Sequence, residues 1–210
     1  MPLMSPAQML QASLRELPGQ ELEPEQSVKL LAFLDLLQRW NKTYNLTAVR
    51  KPSEMVSRHL LDSLSVLPFI RGKRLLDAGT GAGLPGVPLA IVKPELQVIL
   101  LDSAGKKIRF LNHVRRELGL ENVRPVQERL EACSVDSGFD EIISRAFASL
   151  ETFAVAARSL APARLLAMKG RYPEAELEEL PAWVQVNSVE KLRVPGLQEE
   201  RHLVIMSVIS

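Results

Sequence analysis

The stretch that decides the fold is Leu75-Leu76-Asp77-Ala78-Gly79-Thr80-Gly81-Ala82-Gly83-Leu84-Pro85-Gly86. It passes from apolar residues and an acid into four glycines within eight residues, and Pro85 opens a new apolar run. That order predicts a buried strand, a tight turn and the start of a helix. Glycine permits positive φ and the close approach of a ligand, and a helix start presents unpaired N–H groups. The stretch therefore predicts a nucleotide-type pocket.

The spacing of these glycines indicates which class of nucleotide ligand the turn binds. A dinucleotide fingerprint would need a third glycine at position 84, where the chain has Leu84, so a nicotinamide dehydrogenase is the weakest interpretation. Glycines at 79, 81 and 83 after Asp77 look like the turn of S-adenosylmethionine-dependent methyltransferases. Asp102 ends the second predicted strand, where a carboxylate can accept hydrogen bonds from both ribose hydroxyls. We therefore expect Asp77, Gly79, Gly81, Gly83 and Asp102 to bind S-adenosylmethionine.

The composition predicts a folded chain. Of its 210 residues, 46% are hydrophobic and 24% are charged, with 26 basic and 25 acidic side chains and a net charge of +1. That balance does not by itself indicate a nucleic-acid partner. Cys133 is the only cysteine, which excludes a disulfide framework and favours a half-buried small residue over a catalytic thiol. The N-terminus does not look like a signal peptide and no long apolar run occurs, so we expect a cytoplasmic protein without a membrane segment.

Two regions differ in their hydrophobic pattern. Residues 1–70 predict a helical extension, with helices over 6–17 (capped by Ser5 and Gln8), 24–40 and 52–67, the second using Val28 on its apolar face. Residues 71–210 predict a methyltransferase domain of alternating strands and helices. We expect strands at 74–78, 97–101, 122–126, 139–144 and 163–168, with helices at 85–92, 106–118 and 150–160. Later strands at 183–194 and 202–209 predict an antiparallel pair at one sheet edge. The fold class is α/β with a mostly parallel, Rossmann-like sheet.

Two features of the extension stay open at this level. The segment 40–50, Trp-Asn-Lys-Thr-Tyr-Asn-Leu-Thr-Ala-Val-Arg, is either a helix-ending loop whose Asn and Thr side chains bond the backbone or a loop over the pocket. His59 and Asp62 lie one helical turn apart, and for such a pair we favour a structural hydrogen bond over a catalytic dyad.

Motifs along nearly the whole chain resemble one family, the RsmG or glucose-inhibited division protein B family. The matching motifs are Trp-Asn-Lys-Thr-Tyr-Asn-Leu-Thr at 40–47, Arg58-His59, Asp62-Ser63, the turn at 77–86, Leu-Leu-Asp-Ser at 100–103, Lys106-Lys107, Phe110-Leu111, Ser-Arg-Ala-Phe-Ala at 144–148, Met-Lys-Gly at 168–170 and Glu-Arg-His-Leu at 200–203. The resemblance implies a bacterial enzyme that methylates N7 of a guanine in small-subunit ribosomal RNA. Its cofactor contacts would be Gly79, Leu84, the adenine-binding pair Leu130-Glu131, and Arg145.

The substrate chemistry agrees with this implication. Guanine N7 has an in-plane lone pair and no proton, so alignment and water exclusion can suffice without a general base. The Ser144-Arg145-Ala146-Phe147 run differs from the Asn-Pro-Pro-Tyr-like motif common in amine methylation, and Cys133 has no context for carbon methylation. Arg145, at a strand end, is the predicted catalytic residue, because its fork can hold the methionine carboxylate or bond guanine O6.

RNA would be held mainly through its phosphates. We expect cations near the strand ends to bind these phosphates, namely Lys107, Lys169, Arg171 and Arg201. The alternative is that these side chains form a solvated basic face. No metal is expected, and the chain is predicted to act as a monomer on small-subunit ribosomal RNA or the 30S particle. The competing functions are a methyltransferase for a small molecule or protein, and a non-catalytic ribosome-assembly factor that binds S-adenosylmethionine.

Overall fold

The computed structural model describes residues 4–17, 22–135, 138–145 and 147–209. Its α-helices are α1 (Pro6–Leu14), α2 (Pro24–Tyr44), α3 (Pro52–Met55), α4 (Asp62–Leu64), α5 (Gly86–Val92), α6 (Gly105–Glu117), α7 (Leu150–Ala157) and α8 (Glu174–Glu178). Its strands are β1 (Arg74–Ala78), β2 (Gln97–Leu101), β3 (Val123–Val126), β4 (Glu141–Ser144), β5 (Arg164–Lys169), β6 (Val184–Leu192) and β7 (Arg201–Val208).

The described strands form one sheet in the order β3-β2-β1-β4-β5-β7-β6. The first five pair in parallel, whereas β7 lies antiparallel to both β5 and β6. The predicted mostly parallel sheet with a late antiparallel pair at its edge is confirmed. The direction of winding reverses at β1, which has β2 on one side and β4 on the other, so the residues after these strands face a ligand crevice.

Two buried clusters cover the faces of the sheet. Leu75 belongs to the cluster shared with the N-terminal helices, while its neighbour Leu76 belongs to the cluster around α7. Successive side chains of a strand point to opposite faces, and both of these are fully buried, as the apolar sequence of β1 requires. Phe33 of α2 packs near Phe110 of α6 in the first cluster. The helical extension thus supplies part of the core over one face, while the division at residue 70 stays a prediction.

The N-terminal helices follow the predicted pattern with three differences. Ser5 and Gln8 form the expected capping box, but α1 ends at Leu14 instead of residue 17. Helix α2 runs to Tyr44, beyond the predicted end at 40, because the polar side chains there are still compatible with helical backbone. Val28 is 64% exposed, so the prediction that it lies on the buried face of this helix was wrong. The rest of the predicted face is buried at Leu34 and Leu37, and Leu30 and Phe33 widen it as expected.

The predicted helix over 52–67 is interrupted by a π-helical turn, Val56–Leu61, between α3 and α4. We call this segment the π turn. A π-helical turn inside an α-helix is rare and is found most often at functional sites. Here it rotates the residues that follow it relative to a regular helix, and it brings Arg58, His59 and Asp62 toward one cavity at the strand ends.

Candidate functional site

The glycine turn joins β1 to α5. Gly79, Gly81 and Gly83 have φ values of +68°, +62° and +89°, in the region that favours glycine. The Asp77 carboxylate fastens the turn, since its Oδ2 accepts hydrogen bonds from Thr80 Oγ1 at 2.6 Å and from the backbone N–H of Gly86 at 2.8 Å. The predicted strand, turn and helix start are thus confirmed, and the buried acid has a structural role in holding them together.

The glycines of the turn have two different surroundings. A Cβ on Gly79 would meet no atom of the described residues within 4 Å, and one on Gly81 would meet only the Gly79 carbonyl oxygen, at 3.9 Å. A Cβ on Gly83 would instead lie 2.6 Å from Val87 Cγ2 and 2.8 Å from Leu111 Cδ2. The first two glycines therefore border open space, whereas Gly83 is required by packing against α5 and α6. Leu84 is buried beside the turn.

Asp77 is fully buried, and burial raises the pKa of its carboxyl to about 6, although the hydrogen bonds from Thr80 and Gly86 oppose that rise. Its second oxygen, Oδ1, has no hydrogen-bond partner among the described residues. A buried carboxylate oxygen without a partner is costly, because desolvation is not offset. This atom is one candidate contact for a bound ligand.

Asp102 follows β2 and is 6% exposed. Its Oδ2 accepts hydrogen bonds from the backbone N–H of Gly81 and from Lys107 Nζ, both at 3.0 Å, and its Oδ1 accepts one from the N–H of Ala104 at 2.9 Å. The structure thus connects three predicted site residues directly: Gly81, Asp102 and Lys107. It also places Lys107 against a carboxylate that was predicted to bind ribose, instead of leaving its charge free for phosphate.

The predicted adenine-binding pair lies on a short 3-10 turn after β3, Leu130–Ala132. Leu130 is 4% exposed and packs in the cluster with Ala78 and Leu101, so it lies close to the ends of β1 and β2. Glu131 is exposed. Nearby Cys133 is partly buried, and burial raises the pKa of its thiol. A protonated thiol is a poor nucleophile, which agrees with the predicted packing role.

Arg145 follows β4 and points to the N-terminal segment. Its Nη1 lies 3.3 Å from Asp62 Oδ2 and 3.3 Å from the carbonyl oxygen of Arg58. Arg201, at the start of β7, donates from Nε to Asp62 Oδ1 at 2.9 Å. The Asp62 carboxylate therefore connects two predicted site residues, Arg145 after β4 and Arg201 at the start of β7. The predicted bond between His59 and Asp62 was wrong, because Asp62 is used by the two arginines.

These side chains surround a cavity of about 340 Å³, which we call the strand-end cavity. It is lined by Val49, Arg58, His59, Asp62, Arg145, Met168, Lys169, Gly170 and Arg201. Among these described residues, four carry a positive charge and Asp62 carries the negative one. Lys169 also pairs with Glu176 of α8 at 2.7 Å, and Arg58 pairs with Glu199. The cavity suits a ligand with negative charge and hydrogen-bond acceptors.

His59 is a buried, neutral member of this cavity. Burial lowers the pKa of its imidazole to about 4, and the nearby Arg145 charge adds to that shift. Its Nε2 lies 2.9 Å from Thr47 Oγ1. The backbone of Thr47 is held in turn by Asn41, whose Oδ1 accepts from its N–H and whose Nδ2 donates to its C=O, both at 2.9 Å. The first interpretation of segment 40–50, a helix end whose side chains bond the backbone, is therefore confirmed. Val49 also lines the strand-end cavity, and a role for the segment over the pocket stays a prediction.

The other predicted RNA contact, Arg171, is exposed beyond β5, and the structure does not bring it into the strand-end cavity. Sequence reasoning missed Asp62 and Arg58 as members of the site. A signal was present, because both belong to the Arg58-His59 and Asp62-Ser63 motifs, but spacing along a regular helix could not show which strands they approach. No group of three or more His, Cys, Asp and Glu side chains in the described parts of the chain could hold a metal ion.

We expect Asp77→Asn to change the pH dependence of stability. The folded protein holds the Asp77 proton up to about pH 6, whereas an unfolded aspartate releases it near its ordinary pKa of 3.8. Unfolding therefore releases a proton between these values, and this group makes the free energy of unfolding fall as pH rises. Asparagine does not titrate. As the pH rises from about 4 to about 7, the free energy of unfolding of the variant should therefore increase by roughly 3 kcal/mol relative to that of wild type.

Urea unfolding across this pH range measures the difference. Asp140→Asn is the matched control, because backbone N–H groups of Arg74 and Lys73 lower the pKa of the Asp140 carboxyl. Its difference from wild type should stay constant above about pH 5. A constant difference for Asp77→Asn as well would contradict the raised pKa.

The family model of rRNA small subunit methyltransferase G, GidB, matches residues 26–204. The chain belongs to this family. Among its relatives, the Ribosomal RNA small subunit methyltransferase G of Pseudomonas syringae pv. syringae is 53% identical over 202 residues, which is 95% of this chain and 94% of the relative. The protein of the same name from Salmonella arizonae is 52% identical over 190 residues, 90% of this chain and 92% of the relative.

A solved structure supports the same fold. The structure described as a SAM dependent methyltransferase from Aquifex aeolicus aligns with a TM-score of 0.57 and 20% identity, covering 85% of this chain and 98% of that chain. At this identity the likeness shows the fold alone, and it confirms the predicted methyltransferase-type sheet. Within the described ranges, no helix is both long and apolar enough to cross a membrane.

Proposed function

We propose that this protein transfers a methyl group from S-adenosylmethionine to N7 of a guanine in small-subunit ribosomal RNA. The observation that carries the proposal is the membership of residues 26–204 in the rRNA small subunit methyltransferase G family. Relatives that bear this name match nearly end to end, at 53% and 52% identity. A shared activity is the simplest expectation at such identity and coverage.

The residues present fit S-adenosylmethionine. The positive-φ turn at Gly79 and Gly81 borders space that a Cβ would fill, and Asp77 Oδ1 is buried without a partner among the described residues. We assign the turn to the methionine portion, together with Gly83 and Leu84. Asp102 would hold the ribose hydroxyls. A carboxylate has about four acceptor positions and three are used here, so one hydroxyl would take the remaining position and the other would compete with Lys107. Leu130 and Glu131 would hold adenine.

The reaction needs few catalytic groups from the protein. Bound S-adenosylmethionine supplies an electrophilic methyl group, and the guanine N7 lone pair can accept it without losing a proton. Two described residues that could act as a base or a nucleophile are not suited to do so. His59 is buried and bonded to Thr47, and the raised pKa of the Cys133 thiol disfavours a thiolate. The chain would act by alignment and by excluding water. Arg145 lines the strand-end cavity and its charge acts on Asp77 beneath the glycine turn, so it would align the reacting groups.

The strand-end cavity would receive the target guanine. It adjoins Arg145 and is lined by groups that can donate to guanine O6 or to phosphate. Lys169 and Arg201 border it. The exposed Arg171 would contact phosphates outside the cavity, and Lys107 would do so only where a phosphate displaces its partner Asp102. Lys107, Lys169 and Arg201 already pair with acids of the protein, at 3.0, 2.7 and 2.9 Å. RNA phosphates would compete with these partners, so RNA binding should be strongly salt-dependent.

The substrate is proposed to be an assembled particle. A net charge of +1 gives little general attraction to RNA, so recognition would depend on a folded surface. The protein would then act in the cytoplasm, as a monomer and without a metal. These last three points stay predictions.

The test is methyl transfer from labelled S-adenosylmethionine to 30S subunits purified from cells that lack this gene. We expect label on one guanine of the small-subunit RNA, at N7, found by mapping the modified base. Naked small-subunit RNA is the second substrate and should be methylated more slowly. Label on an exocyclic amine or on a pyrimidine would contradict the proposal. Binding of S-adenosylmethionine without transfer to either substrate would favour a non-catalytic assembly factor.

A further inference from the structure

Asp62 carries the negative charge of the strand-end cavity. Its side chain is 4% exposed, and it shares the cavity lining with four cations: Arg58, Arg145, Lys169 and Arg201. Both of its oxygens are used by guanidinium groups, Oδ2 by Arg145 at 3.3 Å and Oδ1 by Arg201 at 2.9 Å. The two arginines come from the end of β4 and the start of β7, 83 and 139 residues away from Asp62 in sequence. Among the described contacts of these two long side chains, Asp62 is the partner that they share.

The π turn places Asp62 for this contact. Asp62 is the first residue after the turn, and the same turn presents the carbonyl oxygen of Arg58 to Arg145 Nη1. Two acceptors from one short segment therefore fix one guanidinium. A flexible arginine loses rotamer entropy when it is fixed, so fixing it before substrate arrives removes that cost from the binding step.

We propose that Asp62 is a positioning residue, whose buried carboxylate holds the guanidinium groups of Arg145 and Arg201 in place for the target guanine nucleotide. This inference rests on the proposed function. It explains why a buried acid lies among the cations of a cavity that suits an anionic ligand. A guanidinium has five N–H donors, and the described contacts of Arg145 use Nη1 while those of Arg201 use Nε and Nη1. Donors on the outer side of each fork can then contact the nucleotide.

The alternative is that Asp62 serves stability alone. A buried ion pair often contributes little net stability, because desolvation offsets much of the attraction. A purely stabilising acid would affect unfolding and leave the steady-state constants of the folded enzyme unchanged. A positioning acid would lower kcat. S-adenosylmethionine binding should change little, because we place most of the cofactor on the turn at Gly79 and Gly81, Asp102 and Leu130, and Asp62 would act on it only through Arg145.

The experiment compares Asp62→Asn with wild type. Asparagine keeps the size of the side chain and removes its charge. We expect kcat for methyl transfer to 30S subunits to fall about a hundredfold, with the Kd for S-adenosylmethionine unchanged by calorimetry. Glu16→Gln is the matched control, because it breaks an exposed arginine–carboxylate pair, Arg193–Glu16 at 3.3 Å, away from the cavity. This control should transfer methyl groups at the wild-type rate.

A double-mutant cycle with Arg201→Gln isolates the contact. If Asp62 positions Arg201, the Arg201 substitution should lower kcat in wild type and have little further effect in Asp62→Asn. Wild-type kcat in Asp62→Asn, or fully additive effects of the two substitutions, would overturn the inference.

A second measurement keeps the inference separate from the proposed function and from folding. The Nε–H of Arg201 should give a distinct, slowly exchanging NMR signal in the unliganded wild-type protein, and Asp62→Asn should lose it. If wild type transfers no methyl group, the proposed function fails and this signal still decides the positioning contact. If Asp62→Asn does not fold, an averaged, rapidly exchanging Arg201 signal in wild type would overturn the inference, and a protected one would support it.

Discussion

Arg145→Ala is expected to abolish detectable methyl transfer, with kcat/KM lower by at least about a hundredfold. Arg145 lines the strand-end cavity and follows β4, which pairs with β1, the strand that leads into the glycine turn. Its charge acts on Asp77 under the glycine turn and on His59 in the strand-end cavity, opposing the rise of the Asp77 pKa and lowering the His59 pKa. Removing this side chain would leave both the cofactor and the guanine without the group that aligns them.

Single-turnover transfer to 30S subunits measures this effect apart from product release. Arg145→Lys tests whether charge or shape is needed, and we expect it to stay strongly impaired because an ammonium cannot reproduce the planar fork. Arg158→Ala is the control. The Arg158 guanidinium lies 4.4 Å from the centre of the Trp183 ring, which packs against the cluster around α7, and Arg158 does not line the strand-end cavity. It should transfer at the wild-type rate. Wild-type turnover in Arg145→Ala would refute the assignment.

The sheet could be predicted from sequence because its signals are local. β1 and β2 match the predicted spans, and β4 starts two residues later than predicted, at Glu141. Apolar runs bounded by Gly, Pro and Asp mark such strands clearly. The residues after β1 and β2 could be predicted for the same reason, since parallel strands bring their carboxyl ends to one edge. Asp102 and Gly81 indeed meet there, at 3.0 Å.

The cavity side of the site could not be predicted in this way. Its geometry depends on the π turn, which no local propensity announces, and on contacts such as Arg201–Asp62 that join distant parts of the chain. The ion pair between Lys169 and Glu176 depends on α8, which the sequence pattern did not predict. Tertiary contacts of this kind decide which charges are available to a ligand, and single-sequence patterns do not contain them.

The second large effect is expected in the glycine turn. Replacing two of its glycines by alanine should impair different properties, cofactor affinity at Gly79 and protein stability at Gly83. Gly79→Ala is expected to lower S-adenosylmethionine affinity at least about tenfold, or ~1.4 kcal/mol, while the protein stays folded. Gly83→Ala is expected to lower the free energy of unfolding by roughly 3 to 5 kcal/mol. Both positions have positive φ, +68° and +89°, so both variants carry backbone strain.

The difference lies in what the new methyl group meets. At Gly79 it enters space free of described protein atoms, where we place the cofactor. At Gly83 it would lie 2.6 Å from Cγ2 of Val87, a β-branched side chain with little rotamer freedom on α5. Calorimetric titration and urea unfolding of each variant separate the two losses.

Gly119→Ala is the control that makes this comparison decisive. Gly119 also has positive φ, +61°, and a Cβ there would meet no described atom within 4 Å, but it follows α6 far from the glycine turn in sequence. The backbone strain should therefore cost about 1 to 2 kcal/mol of stability in both Gly119→Ala and Gly79→Ala. Affinity for S-adenosylmethionine should fall in Gly79→Ala alone. Equal affinity in these two variants would mean that the cofactor does not occupy the space beside Gly79, and the assignment of the turn would have to be withdrawn.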